Sequence, residues 1–531
     1  MKRRARHVAR KQFGTAKYNQ GDKAMRNKPC LAGIVMALCA LMAPLASVGN
    51  NVQVSNASLY DLHQADGYIY VKFDVNWANS WRTSTYESNW DGVWTFVKYK
   101  DGSGNWKHAT LSTNATDHKV PASAMINVGA NTNKGMGAFI YRSGNGTGDV
   151  SYANVKLLWN YTADGLSLQP GNQVDFCVFA IEMVYIPQGS FYVGDGTVSD
   201  IKGQFESGTN GTPFQITNES YSITLGGGAP GSLGNNNALT VVKKDDFSDT
   251  NSVPLPAEYP KGFNAFWCMK YEISQGQYAD FLNTLTPGQT NNRYKTTSSG
   301  SRYTITNNAG VFTAARPDRA CNFLSWGDGV AYADWAGLRP MTELEFEKVC
   351  RGPVTPVKDE YAWGTNAIYY ISGSSPLYIS GAEDGTEYIS NNLSAGAASY
   401  NNTAHSGGDV GLGPLRCGIF AGKAGTRTRA DSGATYYGVM EMSGNLWEWP
   451  VTLGNTTGRA FTGTHGDGAL TSSGNADVGG WPADANGTGR RGGGWNDYSW
   501  YLRISDRYLA TKELLTREAY TGWRGVRTAP Q

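Results

Sequence analysis

Residues 441–449 read Glu-Met-Ser-Gly-Asn-Leu-Trp-Glu-Trp, and two further motifs follow them, Arg-Gly-Gly-Gly-Trp at 491–495 and Gly-Val-Arg at 525–527. Glycine and asparagine permit tight turns, and the tryptophans between them are large apolar anchors. No cysteine follows Cys417 in the chain.

The composition limits the class of protein. The chain has 531 residues, and this length indicates two or three domains. Charged residues make up 17%, the formal net charge is +2, and the chain contains 66 glycines and 30 tyrosines. This profile is typical of a β-rich exported protein. It gives no support for nucleic-acid binding, which needs a concentrated basic patch, so no nucleic-acid partner is expected.

Residues 1–49 have the organisation of a secretory signal peptide with an extended basic region. Lysines and arginines precede an apolar stretch at residues 30–46 that ends in small side chains. We expect cleavage near residues 46–49 and a secreted, periplasmic or cell-surface protein; Met25 is an alternative start. A membrane anchor is the other interpretation, but about 17 apolar residues interrupted by Pro44 are marginal for a span. No stable membrane span is therefore expected after signal cleavage.

Residues 50–181 are predicted to form an all-β, sandwich-like domain. Apolar and polar side chains alternate along residues 69–77 and 155–161, which is typical of strands with one buried face. Asp-Gly-Ser-Gly-Asn at residues 101–105 is typical of a hairpin turn. No catalytic constellation occurs in this segment. Its aromatic side chains could bind carbohydrate or a partner, but a core role is favoured.

Residues 182–531 form the second predicted domain, which contains short helices. Ser and Gln at 274 and 277, and Thr and Glu at 342 and 345, have the spacing of capping boxes. They predict helices that end near Leu282 and Arg351. A further helix is predicted from Ser325, its N-cap, to Gly337.

These motifs carry a family resemblance. Together with Gly-Leu-Arg-Pro-Met-Thr-Glu-Leu-Glu at 337–345, the motifs at 441–449, 491–495 and 525–527 resemble the formylglycine-generating enzymes, also called sulfatase-modifying factors. Two strands around a Pro-Gln-Gly turn at 183–194 resemble the opening hairpin of that family. The resemblance implies an α+β, C-type lectin-like sulfatase-modifying-factor domain, here preceded by the all-β sandwich-like domain.

The resemblance also implies a calcium site in the turn at 441–449. Calcium takes about six to eight oxygen ligands from carboxylates and backbone carbonyl groups. Carried over from the family, the ligands are Glu441, Gly444, Leu446 and Glu448, and Ca²⁺ is the expected cofactor. Glu441 is longer than the acid or amide usual at its position. The alternative is a turn held by its own hydrogen bonds, without an ion.

The family's chemistry does not carry over in the same way. In the family, a pair of cysteines between the second motif and the terminal strand binds copper and oxidises a substrate cysteine. Cu(I) is a soft ion that selects sulfur, and residues 496–503 contain none. Copper and a catalytic residue are therefore not expected, and we predict a binding protein. The alternative is a formylglycine-generating or other oxidoreductase enzyme of this family with an altered active site.

Five cysteines remain after removal of the signal: Cys177, Cys268, Cys321, Cys350 and Cys417. Three of them lie in apolar strand-like or helical runs, which favours buried thiols. An exported chain also permits one or two disulfides, and the sequence does not assign their pairing.

Residues 495–508 form the expected recognition surface. Rigid aromatic rings, short polar groups and guanidinium groups concentrate there, a mixture typical of binding surfaces. The partner is an unknown protein or glycan. Ligand contacts are predicted for Trp495, Asn496, Asp497, Tyr498, Trp500 and Tyr501.

The arginines near this surface are interpreted as framework. Arg503, Arg507 and Arg527 resemble framework arginines of the scaffold, and we expect Arg507 and Arg527 to be tied to buried carboxylates. Some proteins diversified by retroelements use this scaffold and vary this stretch, so a diversified surface is a further hypothesis.

Overall fold

The computed structural model describes residues 11–15, 52–196, 201–209, 211–236, 245–295, 300–402, 405–409, 411–422, 428–483, 486–511 and 516–530. Apart from Lys11–Thr15, the predicted signal segment lies outside the described residues. The helices are α1 (Gln275–Leu282), α2 (Pro287–Arg293), α3 (Trp326–Trp335), α4 (Glu343–Arg351), α5 (Arg429–Ser432) and α6 (Thr456–Arg459).

The strands are β1 (Lys11–Thr15), β2 (Gln53–His63), β3 (Tyr68–Arg82), β4 (Asp91–Lys100), β5 (Trp106–His108), β6 (Ala124–Asn131), β7 (Lys134–Arg142), β8 (Gly146–Trp159), β9 (Asp175–Ile186), β10 (Phe191–Val193) and β11 (Phe205–Ser207). They continue with β12 (Phe214–Ile216), β13 (Ile223–Gly226), β14 (Leu233–Asn235), β15 (Ser252–Leu255), β16 (Phe266–Met269), β17 (Ile305–Asn308), β18 (Val311–Ala314), β19 (Arg339–Pro340), β20 (Leu377–Tyr378), β21 (His405–Ser406) and β22 (Gly525–Thr528).

One sheet runs through both predicted domains. Its strand order is β19-β22-β16-β9-β4-β7-β6, with β1 beside β9 and β5 beside β4. Strand β9 pairs with β4 from Phe176, opposite Tyr99, to Val184, opposite Asp91. Its last residues also pair with β16. The predicted boundary between residues 181 and 182 therefore lies inside a continuous strand.

The two faces of this sheet carry separate apolar cores. Val93 and Val97 of β4 belong to a buried cluster with the smaller sheet β2-β3-β8. Trp94 and Phe96 of β4 point to the opposite face, where Phe96 meets Trp335 of α3 edge-on at 5.1 Å between ring centroids. The strands and the hairpin predicted in this segment are confirmed. The separate all-β domain stays a prediction, because its sheet continues into the rest of the chain.

The predicted helix starts are confirmed. In each case a hydroxyl group accepts the backbone N–H three residues later, and the reciprocal side chain accepts the N–H of the cap residue. The pairs are Ser274 with Gln277, Ser325 with Asp328, and Thr342 with Glu345.

The opening of the second predicted domain differs from the expected hairpin. The two strands around residues 187–189 exist as β9 and β10, but they pair with other strands. Strand β10 pairs with β12, with Phe191 opposite Ile216. The expected hairpin was wrong because an alternating pattern identifies a strand without identifying its partner.

The remainder is loops with short strands. Strands β11, β14, β13 and β15 form a four-stranded sheet in that order, and β17 and β18 form a hairpin. Among the helices of the described residues, none has the length and apolarity that crossing a bilayer would need.

Lys270 provides a test of the shared sheet. Its Nζ lies 2.5 Å from Glu182 Oε1 and 3.5 Å from Asp91 Oδ2, and the three side chains are buried. Lys270→Met would leave two carboxylates buried without this cation, so we expect the free energy of unfolding to fall by about 3–5 kcal/mol in urea denaturation. The control Lys358→Met, at an exposed position, should change it by less than about 0.5 kcal/mol. An unchanged denaturation midpoint for Lys270→Met would contradict this role.

Candidate functional site

The turn at 441–449 is held against the second glycine-rich motif. The N–H of Gly444 donates to the carbonyl oxygen of Gly492 at 2.7 Å, and Glu448 exchanges two backbone hydrogen bonds with Arg491 at 3.1 Å each. Gly444 has φ +90°, a backbone conformation that favours glycine. The two motifs therefore form one unit.

A buried carboxylate that the sequence analysis missed lies beneath this turn. Glu272 is fully buried and accepts hydrogen bonds from Asn445 Nδ2 at 2.5 Å and from the Leu446 N–H at 2.9 Å. Its signal in the sequence was an acid between the large apolar side chains of Tyr271 and Ile273. Burial, with the nearby carboxylates, raises the pKa of Glu272 well above its usual range.

Glu441 and Glu448, the two predicted side-chain ligands, each have one oxygen in a hydrogen bond. Glu441 Oε1 accepts from the Gly418 N–H at 2.8 Å, and Glu448 Oε1 pairs with Arg524 Nε at 2.7 Å. The second oxygen of each is buried and has no hydrogen-bond partner among the described residues. Burial raises the pKa of both carboxyl groups, that of Glu441 to about 7.

The donor set fits a hard cation. Three buried carboxyl groups lie near the guanidinium of Arg524, and the second cation near Glu441, Arg416, is paired with Glu387. The site therefore either retains protons or carries excess negative charge. Carboxylate oxygens of Glu441 and Glu448, with backbone carbonyl oxygens of Gly444 and Leu446, are ligands of the type that Ca²⁺ prefers. In the described residues, the acidic groups whose oxygens converge within 4.8 Å lie elsewhere, at Asp334, Asp467 and Asp477.

Tyr498 and Trp500 are the exposed part of the predicted recognition surface. They are 58% and 45% exposed, and their rings stack with centroids 4.6 Å apart. Trp500 lies in a 3₁₀ turn at Ser499–Leu502, and Tyr498 immediately precedes that turn. The half-buried Tyr501 extends the aromatic row inward and contacts Trp447 of the 441–449 turn edge-on at 5.8 Å. We call Tyr498, Trp500 and Tyr501 the aromatic surface.

Trp495 and Asp497 face inward and support this surface. Trp495 is 6% exposed, and its Nε1 donates to the carbonyl oxygen of Ala519 at 2.9 Å. Asp497 Oδ2 accepts from Trp447 Nε1 at 2.6 Å and from the Gly494 N–H at 2.9 Å. The Trp495 N–H also donates to the carbonyl oxygen of Asn445 at 2.8 Å, so both residues join the 441–449 turn, as Tyr501 does through its ring contact. Asn496, the sixth predicted contact, is half-buried.

The predicted framework arginines behave differently from one another. Arg507 is buried and pairs with Glu343 and Asp245, both at 2.7 Å, so its expected carboxylate partners are confirmed. The prediction was wrong for Arg527, which donates to carbonyl oxygens, including that of Ala130 at 3.0 Å. No carboxylate lies within ion-pair distance of Arg527 in the described residues, and burial lowers its pKa to about 9. The sequence identifies a buried arginine, but only the fold supplies its neighbours.

Comparison with known proteins establishes the family. The model of the sulfatase-modifying factor enzyme 1-like domain matches residues 177–529, more than half of the chain. The chain belongs to this family. A formylglycine-generating enzyme of Thermomonospora curvata is 28% identical over 141 residues, and one of Bos taurus is 30% identical over 134 residues. Each alignment covers 25% of this chain, and 33% and 27% of the two relatives respectively.

The sulfatase-modifying factor domain of this chain contains all five cysteines of the sequence beyond the predicted signal. Cys177, Cys268, Cys321, Cys350 and Cys417 are all buried, which agrees with the interpretation of buried thiols. Burial raises the pKa of the Cys268, Cys321 and Cys350 thiols, so these groups are poor sources of thiolate.

Asp497 provides a test of the hydrogen bonds that join its segment to the 441–449 turn. Asp497→Leu would leave the buried Trp447 Nε1–H and the Gly494 N–H without this acceptor, and each such loss costs about 1–3 kcal/mol. We expect urea denaturation to show a loss of about 2–5 kcal/mol in the free energy of unfolding. Asp497→Asn retains a carbonyl acceptor and should recover most of it. Equal stability of the leucine variant and the unmodified chain would show that these bonds do not support the turn.

Proposed function

We propose that this protein is an exported binding protein and that the aromatic surface of its sulfatase-modifying factor domain contacts a protein or glycan. The observation that carries the proposal is the exposed, stacked pair of Tyr498 and Trp500. Aromatic rings offer large contact areas with little loss of side-chain entropy, and they are enriched where binding energy is concentrated. Export is supported by the signal-like pattern of residues 1–49.

The support beneath the aromatic pair favours recognition. Tyr501 packs on the buried Trp447 and on Tyr508, and Asp497 ties the segment to Trp447 through a hydrogen bond. A binding group held on a rigid frame loses less freedom when a ligand binds, and more of the contact energy then appears as affinity. The exposed pair therefore has the support that a preorganised binding surface needs.

Copper-dependent oxidation has less support than recognition. It requires reactive thiolates near the substrate, whereas residues 496–503 contain no sulfur. The family membership and the printed names of the two relatives favour the alternative of a formylglycine-generating or other oxidoreductase enzyme. An oxidase of the family's cysteine-pair type would need thiols from another part of the chain.

Binding can be tested on the full chain with a glycan array and with cross-linking to extracellular proteins. We expect Tyr498→Ser combined with Trp500→Ser to weaken the captured signals at least about tenfold, equivalent to about 1.4 kcal/mol. Tyr60→Ser is the matched control, because Tyr60 is also an exposed tyrosine at 42% but lies on β2. Signals that survive the double substitution would place recognition elsewhere.

The enzymatic alternative is tested separately. Purified protein is titrated with copper in the presence of a cysteine-containing sulfatase peptide, and mass spectrometry measures conversion of the cysteine to the aldehyde. We expect no turnover above a sample without protein. Catalytic turnover to the aldehyde would contradict the binding-only function.

We further propose that the 441–449 turn binds Ca²⁺. The support is the pair of buried carboxylate oxygens on Glu441 and Glu448 that lack partners among the described residues. A bound ion would offset their charge and fix the backbone of the turn, and Trp447 would transmit that rigidity to Asp497. The ion would then have a structural role.

Glu441→Gln is the sharpest test of the ion. Glutamine retains an acceptor for the Gly418 N–H but removes the charge, whereas changing Glu448 would also strip Arg524 of its partner. At a calcium concentration of about 100 times Kd, binding should stabilise the unmodified chain by about 2.7 kcal/mol, seen as a higher Tm than in chelator. Glu441→Gln should lose this response, and Glu258→Gln, at an exposed site, should keep it. The same Tm for the unmodified chain in calcium and in chelator would exclude the site.

A further inference from the structure

A cavity of about 590 Å³ opens between the β4–β5 hairpin, the loop that leads into α2 and residues 467–472. None of its lining residues belongs to the 441–449 turn or to the aromatic surface. Its volume lies within the range of small-molecule sites.

Lys98 lies at the buried wall of this cavity. It is 1% exposed, and its Nζ donates to the Gly468 carbonyl oxygen at 2.9 Å and lies 5.3 Å from the ring centroid of Trp335. No carboxylate of the described residues lies within ion-pair distance of this ammonium group. Burial and the neighbouring Lys134 lower the pKa of Lys98, against the weaker effects of Asp334 and Asp467. An anion in the cavity would supply the missing counter-charge.

The same wall includes a buried indole ring. Trp335 also lines the cavity, is 4% exposed, and its Nε1 has no hydrogen-bond acceptor among the described residues. This nitrogen is itself shielded from solvent, so Trp335 contributes ring surface to the cavity wall and no accessible donor. Lys98 therefore remains the buried charged donor of this wall.

The acidic groups on the cavity wall are already engaged. Asp164 accepts hydrogen bonds from the Thr110 N–H, the Thr110 hydroxyl and Trp159 Nε1. Asp101 accepts from two N–H groups of its own hairpin turn, and the exposed Asp467 accepts from the Ala469 N–H. The charge of Asp101 and Asp164 is thus partly satisfied within the protein, whereas Asp467 also belongs to the carboxylate cluster with Asp334 and Asp477. The ammonium of Lys98 has no carboxylate within ion-pair distance in the described residues.

The outer part of the cavity is polar and aromatic. Trp106 lies half-buried in its wall, with Asn105, Gln289 and Ser472 among the other lining residues. Amide and hydroxyl groups suit a ligand with several hydroxyl groups, and an indole face suits an aliphatic ring with polarised C–H bonds.

We propose that this cavity binds a small hydroxylated carboxylate of the sugar-acid class. The ligand carboxylate contacts Lys98, and its hydroxylated ring lies near Trp106. This site is separate from the aromatic surface and does not depend on the function proposed for it.

Isothermal titration calorimetry of the full chain tests the proposal with three probes: D-glucuronate, neutral D-glucose and acetate. Glucuronate is expected to bind at least about tenfold more tightly than either of the others, because only glucuronate has both the charge and the hydroxyl groups. Equal affinity for glucose would overturn the role of the ammonium, and equal affinity for acetate would overturn the role of the hydroxyl groups. No measurable binding of glucuronate would overturn the site.

Variants locate the binding. Lys98→Met keeps the length of the side chain without its charge and should weaken glucuronate binding at least about tenfold. Trp106→Ala and Lys134→Met alter half-buried positions. If circular dichroism shows that Lys98→Met does not fold, these two variants decide whether glucuronate binds in the cavity. Lys119→Met, on an exposed lysine outside the cavity, is the matched control. Unchanged affinity in all folded cavity variants would overturn the assignment.

Discussion

The carboxylate of Glu343, at the start of α4, is the interaction on which the loop-rich part of the molecule depends. It is buried and accepts from Arg507 Nε at 2.7 Å, from the Leu453 N–H at 2.8 Å and from Arg491 Nη2 at 3.4 Å. Removing one partner from such a group leaves an uncompensated buried charge, which costs several kcal/mol. The segments that contain Leu453, Arg491 and Arg507 must therefore pack against the start of α4, although few strand pairings join them.

The contacts of Glu343 extend to the 441–449 turn and to the aromatic surface. Arg491 begins the second glycine-rich motif and pairs through its backbone with Glu448 of the 441–449 turn. Trp447 of that turn holds Asp497, and Asp497 precedes the exposed Tyr498. A chain of buried polar contacts thus leads from the core to an exposed aromatic pair. Variable loops can carry binding groups on such a frame, because the frame does not rely on the loop tips.

Strand β9 imposes a second constraint, because it joins the amino-terminal segment to the family domain. Its pairing with β4 and β16 places the amino-terminal segment and the family domain in one sheet, and Lys270 adds a buried ion pair with Glu182 and Asp91. The cavity beside Lys98 also depends on long-range packing, since residues of the β4–β5 hairpin and residues 467–472, far apart in the chain, both line it.

The sequence by itself determined the family, the strands with alternating patterns, and the starts of α1, α3 and α4. These features depend on contacts within a few residues: a capping box closes over three positions, and an alternating strand needs only its own pleat. The exposed aromatic residues of the 495–508 segment could also be located, because their composition departs from that of a core.

Only the tertiary structure decided which groups meet. Glu272 lies 173 positions from Asn445, and the β10–β12 pairing and the carbonyl partners of Arg527 also join distant segments. No local pattern encodes such partners, because a buried charge or an unpaired strand edge is satisfied by whichever segment the fold brings to it. The chain therefore specified its elements locally, while the compensation of each buried charge was decided by long-range packing.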